Sequence, residues 1–430
     1  MARKMKDSGI EWIGEIPEGW EVSQLKYATR WKSEKGCPDA PVLSLYRDFG
    51  VVPKDSRDDN HNVTSLDTSN YKVVDIGDLV INKMKAWQGS MAVSDYRGIV
   101  SPAYHVCSIT SNKVNKRYLH HLLRNPAYLP EYARLSTGMR IGQWDLGFDD
   151  FKNIPFLIPP LDEQAKIADY LDTGCASLDA MLSKTRFSIE EYKKLKQAVI
   201  TQAVTKGVRG ERETKGSGVE WIGEIPKKWN RCKLNSICTF INGDRSKNYP
   251  SPEDFQDIGI PFIGADSLNG FFVDTYSARH ISPAKYASMG GLKITQGDIL
   301  YTLRGSTIGK NAIANFNDGT IASSLVGIRV KSPFLASSSF LFYWLNSLNE
   351  FVQRDLCING STAPNLSAEN VAQFFIYIPD ITEQHEIADY LDAKCAEIDR
   401  LIAKKEQLVK ELESYKKSLI YEVVTGKREV

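Results

Sequence analysis

The segment Arg304–Lys310 has the spacing closest to a phosphate-binding loop, so nucleotide chemistry is the first possibility to test. In such a loop, four residues separate the two glycines, and a Ser or Thr after the Lys binds Mg²⁺. Here three residues separate Gly305 from Gly309, and Asn311 follows Lys310. The short loop and the missing hydroxyl exclude a nucleotide site of this kind.

Two patterns that would indicate cofactor-dependent transfer chemistry are also missing. No Gly-x-Gly-x-x-Gly unit follows a strand pattern, and the Asn/Asp-Pro-Pro-aromatic motif typical of adenine methyltransferases does not occur. The segment Ile158–Leu161 has two prolines but lacks the polar and aromatic residues of that motif. We therefore expect no catalytic residues in this chain.

Histidine and cysteine residues do not form a pattern of metal ligands. The six histidines are dispersed, and His120-His121 has no acidic or cysteine partners at ligand spacing. The seven cysteines are odd in number and include no Cys-x-x-Cys pair, which argues against a disulfide framework and a structural zinc site. We expect no metal site, and we expect the cysteines to be small buried apolar residues.

Two Glu-Gln pairs are the remaining candidates for a polar site. Glu163-Gln164 and Glu383-Gln384 could supply paired carboxylates. Acidic residues in the first turn of a helix also stabilise the helix dipole and then need no chemistry. A contact with a partner subunit is the competing use of these four residues.

The chain that carries these residues contains an internal duplication. Residues 8–20 return as residues 217–229 at an offset of 209. Residues 158–172 return as residues 378–392 at an offset of 220, and this second register continues to the end of the sequence. A period of more than 200 residues is far too long for a solenoid, so we predict a duplicated pair of domains.

The regions between the repeated blocks, residues 30–155 and 239–375, differ strongly from each other. Each half of the chain is therefore a divergent domain followed by a near-identical module. The predicted boundaries are a first divergent domain at 1–160, a central helix at 161–210, a second divergent domain at 211–379 and a C-terminal helix at 380–430.

Each repeated module predicts a long helix. Between Asp162 and Thr205 there is no proline, and apolar residues recur at gaps of three, four and seven. Roughly 44 residues make a helix about 66 Å long, which is too long for one domain to cover. We expect the two helices to pair as an antiparallel coiled coil, the alternative being that each packs only on its own domain. The expected pairing residues are Ile167, Leu171, Leu178, Leu182, Ile189, Leu195, Ile387, Leu391, Ile398, Ile402, Val409 and Leu412.

Start and stop signals bound both helices. Asp162 and Thr382 follow the proline-containing stretches and are the expected N-caps. Glycine follows the helical pattern at Gly207 and Gly426, as is usual after a helix end.

The two divergent regions alternate short strand patterns with turn signals. Residues 78–82 and 298–302 are examples of the strand patterns, and helical stretches follow near 117–124 and 340–349. We predict two α+β domains with loop-rich edges.

Five loops in these domains combine basic, amide and aromatic residues that suit contact with DNA. Arg and Lys neutralise phosphate or bind guanine, while Asn and Gln can pair with adenine. For any single loop, a solvated turn is an equally good explanation. The candidate DNA-contacting residues are Lys83, Lys85, Trp87, Gln88, Arg140, Gln143, Trp144, Asn242, Arg245, Lys247, Arg304, Ser306, Thr307, Lys310 and Asn359.

The composition is that of an ordinary globular protein. The 430 residues are 42% hydrophobic and 25% charged, which excludes a disordered chain. No run of about 18 apolar residues and no secretion signal is present, so we expect a cytoplasmic protein without contact to a membrane. The net charge is only +1, so a nucleic-acid function depends on local clusters of basic residues.

Taken together, these features resemble the DNA specificity subunit of type I restriction-modification systems. The Glu-Gln-x-x-Ile-Ala-x-Tyr-Leu-Asp segments, within 159–172 and 379–392, and both Glu-Trp-Ile-Gly-Glu-Ile-Pro blocks carry the resemblance. Residues 78–90 and 297–310 resemble segments of target recognition domains in that family. The resemblance covers essentially the whole chain.

The resemblance implies an architecture and a function. The fold would be two α+β target recognition domains, separated by two long conserved helices that pair as an antiparallel coiled coil with a pseudo-two-fold repeat. The chain would read a bipartite, asymmetric double-stranded DNA target, one half-site per recognition domain, without catalysis. Two modification subunits and the restriction subunits would bind it, and those partners, not this chain, would use S-adenosylmethionine, ATP and Mg²⁺.

Two other functions remain open from the residues alone. One is a coiled-coil scaffold that never reads DNA, which failure of the assembled complex to select any sequence would support. The other is a self-sufficient DNA-modifying enzyme, which methylation or nicking by the purified chain alone would support.

Overall fold

Two units make up the fold, and each contains part of both long helices. A computed structural model describes residues 3–47, 49–56, 64–65, 67–140, 143–358 and 365–430, without the side chains of 139, 140 and 143. The first unit comprises Met1–Arg186 and Gln407–Val430, and the second comprises Phe187–Glu406.

The first unit is built on a four-stranded antiparallel sheet with the strand order β4-β11-β8-β9. Its strands are β1 (Met5–Asp7), β2 (Glu15–Pro17), β3 (Glu21–Gln24), β4 (Thr29–Lys32), β5 (Leu43–Tyr46), β6 (Gly50–Pro53), β7 (Lys72–Val74), β8 (Asp78–Asn82), β9 (Met91–Val93), β10 (Gly98–Val100), β11 (Tyr104–Ile109), β12 (Ser136–Arg140), β13 (Gln143–Leu146) and β14 (Pro155–Ile158). Its helices are α1 (Lys116–Leu123), α2 (Leu129–Leu135), α3 (Phe148–Phe151) and the first part of α4 (Leu161–Lys206).

The second unit has a central sheet with the corresponding order, β18-β25-β22-β23, and adds a second sheet, β19-β21-β20-β24. Its strands are β15 (Thr214–Gly216), β16 (Glu224–Pro226), β17 (Asn230–Lys233), β18 (Cys238–Asn242), β19 (Phe255–Gln256), β20 (Ile260–Ile263), β21 (Arg279–Ile281), β22 (Ile299–Thr302), β23 (Asn311–Ile313), β24 (Thr320–Ile321), β25 (Leu325–Val330) and β26 (Phe375–Ile378). Its helices are α5 (Leu234–Ile237), α6 (Pro283–Ser288), α7 (Ser338–Leu345), α8 (Leu348–Cys357), α9 (Ala368–Gln373) and the first part of α10 (Ile381–Val424).

A shared Gly-Asp turn leads into the same strand of both central sheets. Gly77 and Gly297 adopt φ values of 88° and 92°, in the left-handed region that favours glycine. Asp78 and Asp298 each accept the backbone N–H of the residue three positions earlier, at 2.9 and 2.8 Å. The little similarity that the divergent regions retain is therefore explained by a turn that both sheets need.

Both long helices enter the core of each unit. In the first unit, Leu171 of α4 and Leu419 of α10 share one core with the fully buried Trp20. In the second unit, Ala203 and Leu391 share a core in the same way. Within each unit the start of one helix thus packs beside the end of the other. This arrangement confirms the antiparallel pairing and excludes the alternative that each long helix packs only on its own domain.

The buried stripe of α10 has the spacing of a coiled coil. Its buried and half-buried positions alternate at steps of four and three residues, and a mean step of 3.5 residues favours a left-handed supercoil. These positions are Leu391, Cys395, Ile398, Ile402, Lys405, Val409, Leu412, Lys416, Leu419 and Val423.

Across the described residues, no helix is long and apolar enough to cross a membrane.

On α4 the stripe corrects one predicted pairing residue. Ile189, Tyr192, Lys196 and Val199 continue the alternating steps and are buried or half-buried. Leu195 falls between these positions and is 48% exposed. The prediction that Leu195 pairs with the other helix is therefore wrong, because Lys196 takes the inward position.

Two ion pairs repeat between the helices at equivalent positions of the two copies. In the first unit, Lys416 contacts Asp179 at 2.6 Å, and in the second unit Lys196 contacts Asp399 at 2.7 Å. Both partners of one pair are related to those of the other by the offset of 220. The duplication has therefore preserved the register of the helix pair as well as its apolar stripe.

The observed helix starts differ slightly from the prediction. Helix α4 begins at Leu161 and helix α10 at Ile381, so Asp162 and Thr382 lie in the first turn rather than at the N-cap. In α10 the carboxylate of Asp380 accepts the N–H of Glu383 at 2.9 Å, so Asp380 takes the capping role.

The seven cysteines are all free thiols. Cys107, Cys238 and Cys395 are buried, and burial raises the pKa of the Cys395 thiol to about 11. Cys37 is exposed, so the prediction of a small buried apolar residue is wrong at that position.

Candidate nucleic-acid interface

In the first unit, the loop after β8 and the β12-β13 hairpin meet at one edge of the central sheet. The N–H of Leu146 donates to the carbonyl oxygen of Lys83 at 3.0 Å, and the Lys83 ammonium contacts Asp145 at 3.0 Å. The rings of Trp87 and Trp144 pack with their centroids 5.1 Å apart. Two loops that are distant in sequence thus form one surface, as their shared composition suggests.

The other predicted residues of this surface differ in exposure. Lys85 is exposed and Gln88 is half-buried. The indole N–H of Trp87 is buried and has no acceptor among the described residues. The side chains of Arg140 and Gln143 lie outside the described residues, although the backbones of the two residues pair across the hairpin.

Lys72 belongs to the same edge, although the sequence analysis did not identify it. Its ammonium donates to the carbonyl oxygen of Tyr104 at 2.6 Å and lies 5.2 Å from the centre of the Trp31 ring. Burial, followed by the charges of Lys83 and Lys35, lowers the pKa of Lys72. The signal available in the sequence was a lysine inside an otherwise apolar strand pattern.

In the second unit, two candidate loops meet at the corresponding edge. Strands β18 and β22 both run antiparallel to β25, so their C-terminal ends lie where β25 begins. The Arg245 guanidinium donates to the carbonyl oxygen of Ser323 at 3.4 Å. The N–H of Leu303 donates to the carbonyl oxygen of Ser324 at 2.8 Å. The loops 242–248 and 304–310 thus flank the same short segment.

Asp244 organises the first of these loops. Its buried carboxylate accepts the N–H groups of Ser246 at 2.7 Å and Gly290 at 2.8 Å, and these donors lower the pKa of Asp244. Lys247 is exposed beside it, as is Arg245. The carbonyl oxygen of the Asn242 side chain is buried without a donor among the described residues.

The second loop presents its polar residues to solvent. Arg304, Ser306 and Thr307 are exposed, and the Arg304 Nε donates to the side-chain oxygen of Asn365 at 3.1 Å. Lys310 differs, because its ammonium donates to the Ala265 carbonyl at 3.0 Å and to Asn269 at 2.6 Å. Lys310 is therefore directed at the domain's own loops, and the predicted Asn359 lies outside the described residues.

The first Glu-Gln pair fastens the start of α4 to its domain. Gln164 is fully buried and accepts the N–H of Asn115 at 2.7 Å. Its amide group donates to the carbonyl oxygens of Lys113 and Pro159 at 2.9 and 2.7 Å. Gln384 makes the corresponding three bonds in the second unit.

The glutamates complete this attachment. Glu163 accepts from the Arg3 guanidinium at 2.8 Å and from the Trp20 indole N–H at 3.0 Å. Arg3 also lies over the Trp20 ring, 5.6 Å from its centre. The second unit repeats this cluster with Glu383, Arg212 and Trp229. We call each set of Glu, Gln, Arg and Trp the helix latch.

The latches correct the predicted partner-contact role. Gln164 and Gln384 are 0% exposed and Glu383 is 4% exposed, so their polar atoms serve the chain's own backbone and side chains. Glu163 is held in its ion pair with Arg3. The offset of 209 also aligns Arg3 with Arg212, and this match was the signal that could have identified the arginines.

Comparison with known proteins assigns the chain to a family. Residues 17–190 and 226–412 both match the type I restriction modification DNA specificity domain. The chain belongs to this family. Each of the two specificity domains, as matched, includes one central sheet and part of the long helix that follows it.

Curated relatives are similar to this chain over most of its length. The MjaVIII type I restriction enzyme specificity subunit of Methanocaldococcus jannaschii is 26% identical over 432 residues, covering 96% of this chain and 93% of the relative. The EcoBI specificity subunit of Escherichia coli is 28% identical over 308 residues, covering 69% of this chain and 62% of the relative.

Solved structures share the fold of the specificity domains and long helices. A chain from a study of complex assembly in a type I restriction-modification system matches with a TM-score of 0.70 and 17% identity, covering 96% of this chain and 99% of that one. The HsdS subunit from Thermoanaerobacter tengcongensis matches with a TM-score of 0.53, 17% identity and coverage of 96% and 98%.

Proposed function

We propose that this chain is the non-catalytic, sequence-reading subunit of a type I restriction-modification assembly. The observation that carries the proposal is the duplicated sheet edge of a chain in the DNA specificity family. In each unit, the strand ends of one central sheet gather basic and amide side chains on loops, and the first unit adds the rings of Trp87 and Trp144. Loops on a rigid scaffold are the usual place for recognition residues.

Each edge is proposed to read one half of a bipartite DNA target. Exposed Arg304 and Arg245 in the second unit have the fork geometry that binds guanine, while Lys85 and Lys83 in the first suit phosphate or guanine. The two edges share no loop sequence, which supports an asymmetric target. The near-neutral net charge is acceptable because partner subunits can share the phosphate contacts.

The proposed partners supply the chemistry. Two modification subunits would bind this chain and methylate adenine with S-adenosylmethionine. Restriction subunits would add ATP-driven cleavage with Mg²⁺. The duplicated long helices support two equivalent places for partners, because each unit repeats the same module.

The first test is to co-express the chain with candidate modification subunits and to map N6-methyladenine across a genome. We expect one bipartite motif with a fixed gap between its halves. Selection of no sequence by a stable complex would favour the scaffold function, and methylation by the purified chain alone would favour an enzyme.

Two single variants assign the half-sites to the units. Arg304→Ala should relax base selection in one half-site by about 5- to 150-fold, the range for one bidentate base contact, and Trp144→Ala should relax it in the other. Loss of selection in the same half-site for both variants would contradict one half-site per unit.

A heptad insertion tests the role of the helices. Seven residues inserted at matching places in α4 and α10 preserve the alternating stripe and lengthen the pair by about 10 Å. The unread gap of the motif should then grow by roughly 3 base pairs at about 3.4 Å per pair. A gap of unchanged length would contradict a measuring role.

A further inference from the structure

Behind the exposed turn 304–310 of the second unit lies a buried ion pair on α8. Glu350 and Arg354 are one helical turn apart, and the Arg354 Nε donates to Glu350 Oε1 at 3.0 Å. Their side chains are only 3% and 15% exposed. The hydroxyl of the fully buried Tyr301, on strand β22, also contacts Glu350 Oε1. The strand that leads into the turn is therefore tied to the helix.

The same arginine holds the turn itself. The Arg354 Nη1 donates to the carbonyl oxygen of Ile308 at 3.0 Å. Gly309 adopts a φ of 89°, and a Cβ there would lie 2.7 Å from the Arg354 guanidinium carbon. Glycine at this position thus allows the guanidinium to lie directly against the backbone of the turn.

Three residues of the same turn are exposed. Arg304, Ser306 and Thr307 face solvent among the described residues. A cavity of about 410 Å³, lined by Gly309, Glu350 and Arg354 among others, lies behind the turn. Gln197, Asn346 and Ser347 also line this cavity, but their side chains donate to the carbonyl oxygen of Asn346, to the Asn311 side chain and to the carbonyl oxygen of Trp344, and not to Ile308.

The first unit supports its corresponding loop differently. Helix α2 follows the sheet there as α8 does in the second unit, and its last turn also carries an arginine, Arg134. Arg134 pairs with Glu131, its side chain is 67% exposed, and its side-chain hydrogen bonds among the described residues go to Glu131. The loop after β8 instead packs on Leu129, since a Cβ at Gly89 would lie 2.8 Å from that side chain.

We propose that Arg354, oriented by Glu350 and Tyr301, is the positioning residue for base recognition by the turn 304–310. This inference rests on the proposed function, because it assigns a role to the support of the proposed reading turn. The pair fixes the backbone at Ile308, so the exposed residues of the turn meet a base edge in one geometry. A positioning residue of this kind increases selectivity for one base although it does not itself contact the base.

The experiment compares Arg354→Met, Arg354→Lys, Glu350→Gln and the matched control Arg134→Met, all in the full chain. Two measurements are made on each variant. Hydrogen exchange of the amides of residues 305–310 reports the order of the turn in the chain alone. The methylation motif of the complex reports base selection in each half-site separately, and the half-site sensitive to Arg304→Ala is the one that matters.

We expect Arg354→Met to accelerate exchange in the turn and to reduce discrimination about tenfold in that half-site, with the other half-site unchanged. Arg354→Lys should restore part of this loss, because the lysine ammonium keeps the charge but lacks the planar fork with which the guanidinium reaches Glu350 and Ile308 together. Glu350→Gln, which keeps the volume and the bond to Tyr301, should have a smaller effect in the same half-site. Arg134→Met should change neither measurement.

Several outcomes would overturn the inference. Unchanged exchange in the turn would remove the positioning role, whether or not the complex reads DNA. Faster exchange in the turn with an unchanged methylation motif would show that the ion pair orders the turn but has no role in base recognition. Equal loss in both half-sites would indicate general destabilisation. A wild-type complex without any motif would contradict the proposed function instead, and the exchange data would still decide whether Arg354 orders the turn.

Discussion

The two sheet edges show how one scaffold carries two different loop surfaces, which we propose as the recognition surfaces. Both central sheets have the same strand order, and both are entered through a Gly-Asp turn. The first edge is closed by the Trp87–Trp144 ring pair, whereas the second exposes Arg304 on a turn held from behind by an ion pair. Residues that maintain the sheet and the helix latches repeat, while those at the edges differ. Function can thus diverge without a change of fold.

The helix latches provide the largest expected effect, and it should be equal in the two units. Gln164→Ala and Gln384→Ala each remove the three hydrogen bonds of a fully buried side chain and leave backbone groups unpaired. Each should reduce the free energy of unfolding of its own unit by about 3 kcal/mol. Thermal unfolding and hydrogen exchange at Asn115 and Ser337 would measure this loss.

The matched control for the latch is Gln202→Ala, which removes an exposed glutamine from the same long helix. It should change the stability by less than about 0.5 kcal/mol. A large loss of stability for Gln164→Ala with none for Gln384→Ala would show that the two latches are not equivalent.

Acid should destabilise the first unit through His120. Desolvation, and then the charges of Arg124 and His121, lower the pKa of His120 to about 3. The unfolded chain takes up this proton near pH 6.5 and the folded chain does not, so stability is lost as the pH falls from 6.5 towards 3. By pH 4 the loss should reach about 3 kcal/mol.

His120→Asn is the variant that measures this contribution. Its amide oxygen can still accept the N–H of Val93, which donates to the His120 Nδ1 at 3.3 Å. The variant should flatten the acid limb of the stability curve of the first unit. An unchanged slope between pH 6.5 and 4 would mean that His120 is protonated in the folded chain.

The second unit should respond to pH in the opposite direction through Glu350. Burial raises the pKa of Glu350 to about 7, although Arg354 acts against this shift. The folded chain therefore holds a proton between pH 4.5 and 7 that the unfolded chain releases, and stability falls as the pH rises through that range. We expect wild type to lose about 2 kcal/mol relative to Glu350→Gln between pH 5 and 7. Parallel curves for the two proteins would refute this prediction.

The smallest expected effect concerns the repeated ion pairs of the helices. Asp179→Asn and Asp399→Asn each remove one partner of a largely exposed pair. Each should cost less than about 1 kcal/mol, and added salt should reduce the difference from wild type. Denaturant unfolding at two salt concentrations would measure both variants. A cost of several kcal/mol at one site alone would show that the two copies use their helix pair differently.

The sequence predicts the repeated helices and strands far better than it predicts hydrogen bonds between a side chain and distant backbone groups. The long helices follow from apolar spacing and the absence of proline, and the strands from short apolar patterns. Two of the three hydrogen bonds of Gln164 could not be predicted, since their partners are backbone atoms of Asn115 and Lys113, 49 and 51 residues away. Leu195 was wrongly assigned to the pairing stripe of α4 because it is apolar and lies next to that stripe. The structure shows that Lys196 takes the inward position instead. No sequence pattern indicated that Arg354 reaches the turn at Ile308.

The division of the helices between the units has a consequence for biosynthesis. The second unit is continuous in sequence, whereas the first is completed by Gln407–Val430. Within the first unit, the Tyr118 hydroxyl donates to the carbonyl oxygen of Val424 at 3.3 Å, and the core includes Leu419. On the ribosome, the second unit therefore has all its residues before the first can close, although domains usually fold in the order of their synthesis. Until residues 407–430 are made, the N-terminal part of the first unit has apolar surface uncovered, so we expect chains that stop at Glu406 to be substrates for chaperones and proteases.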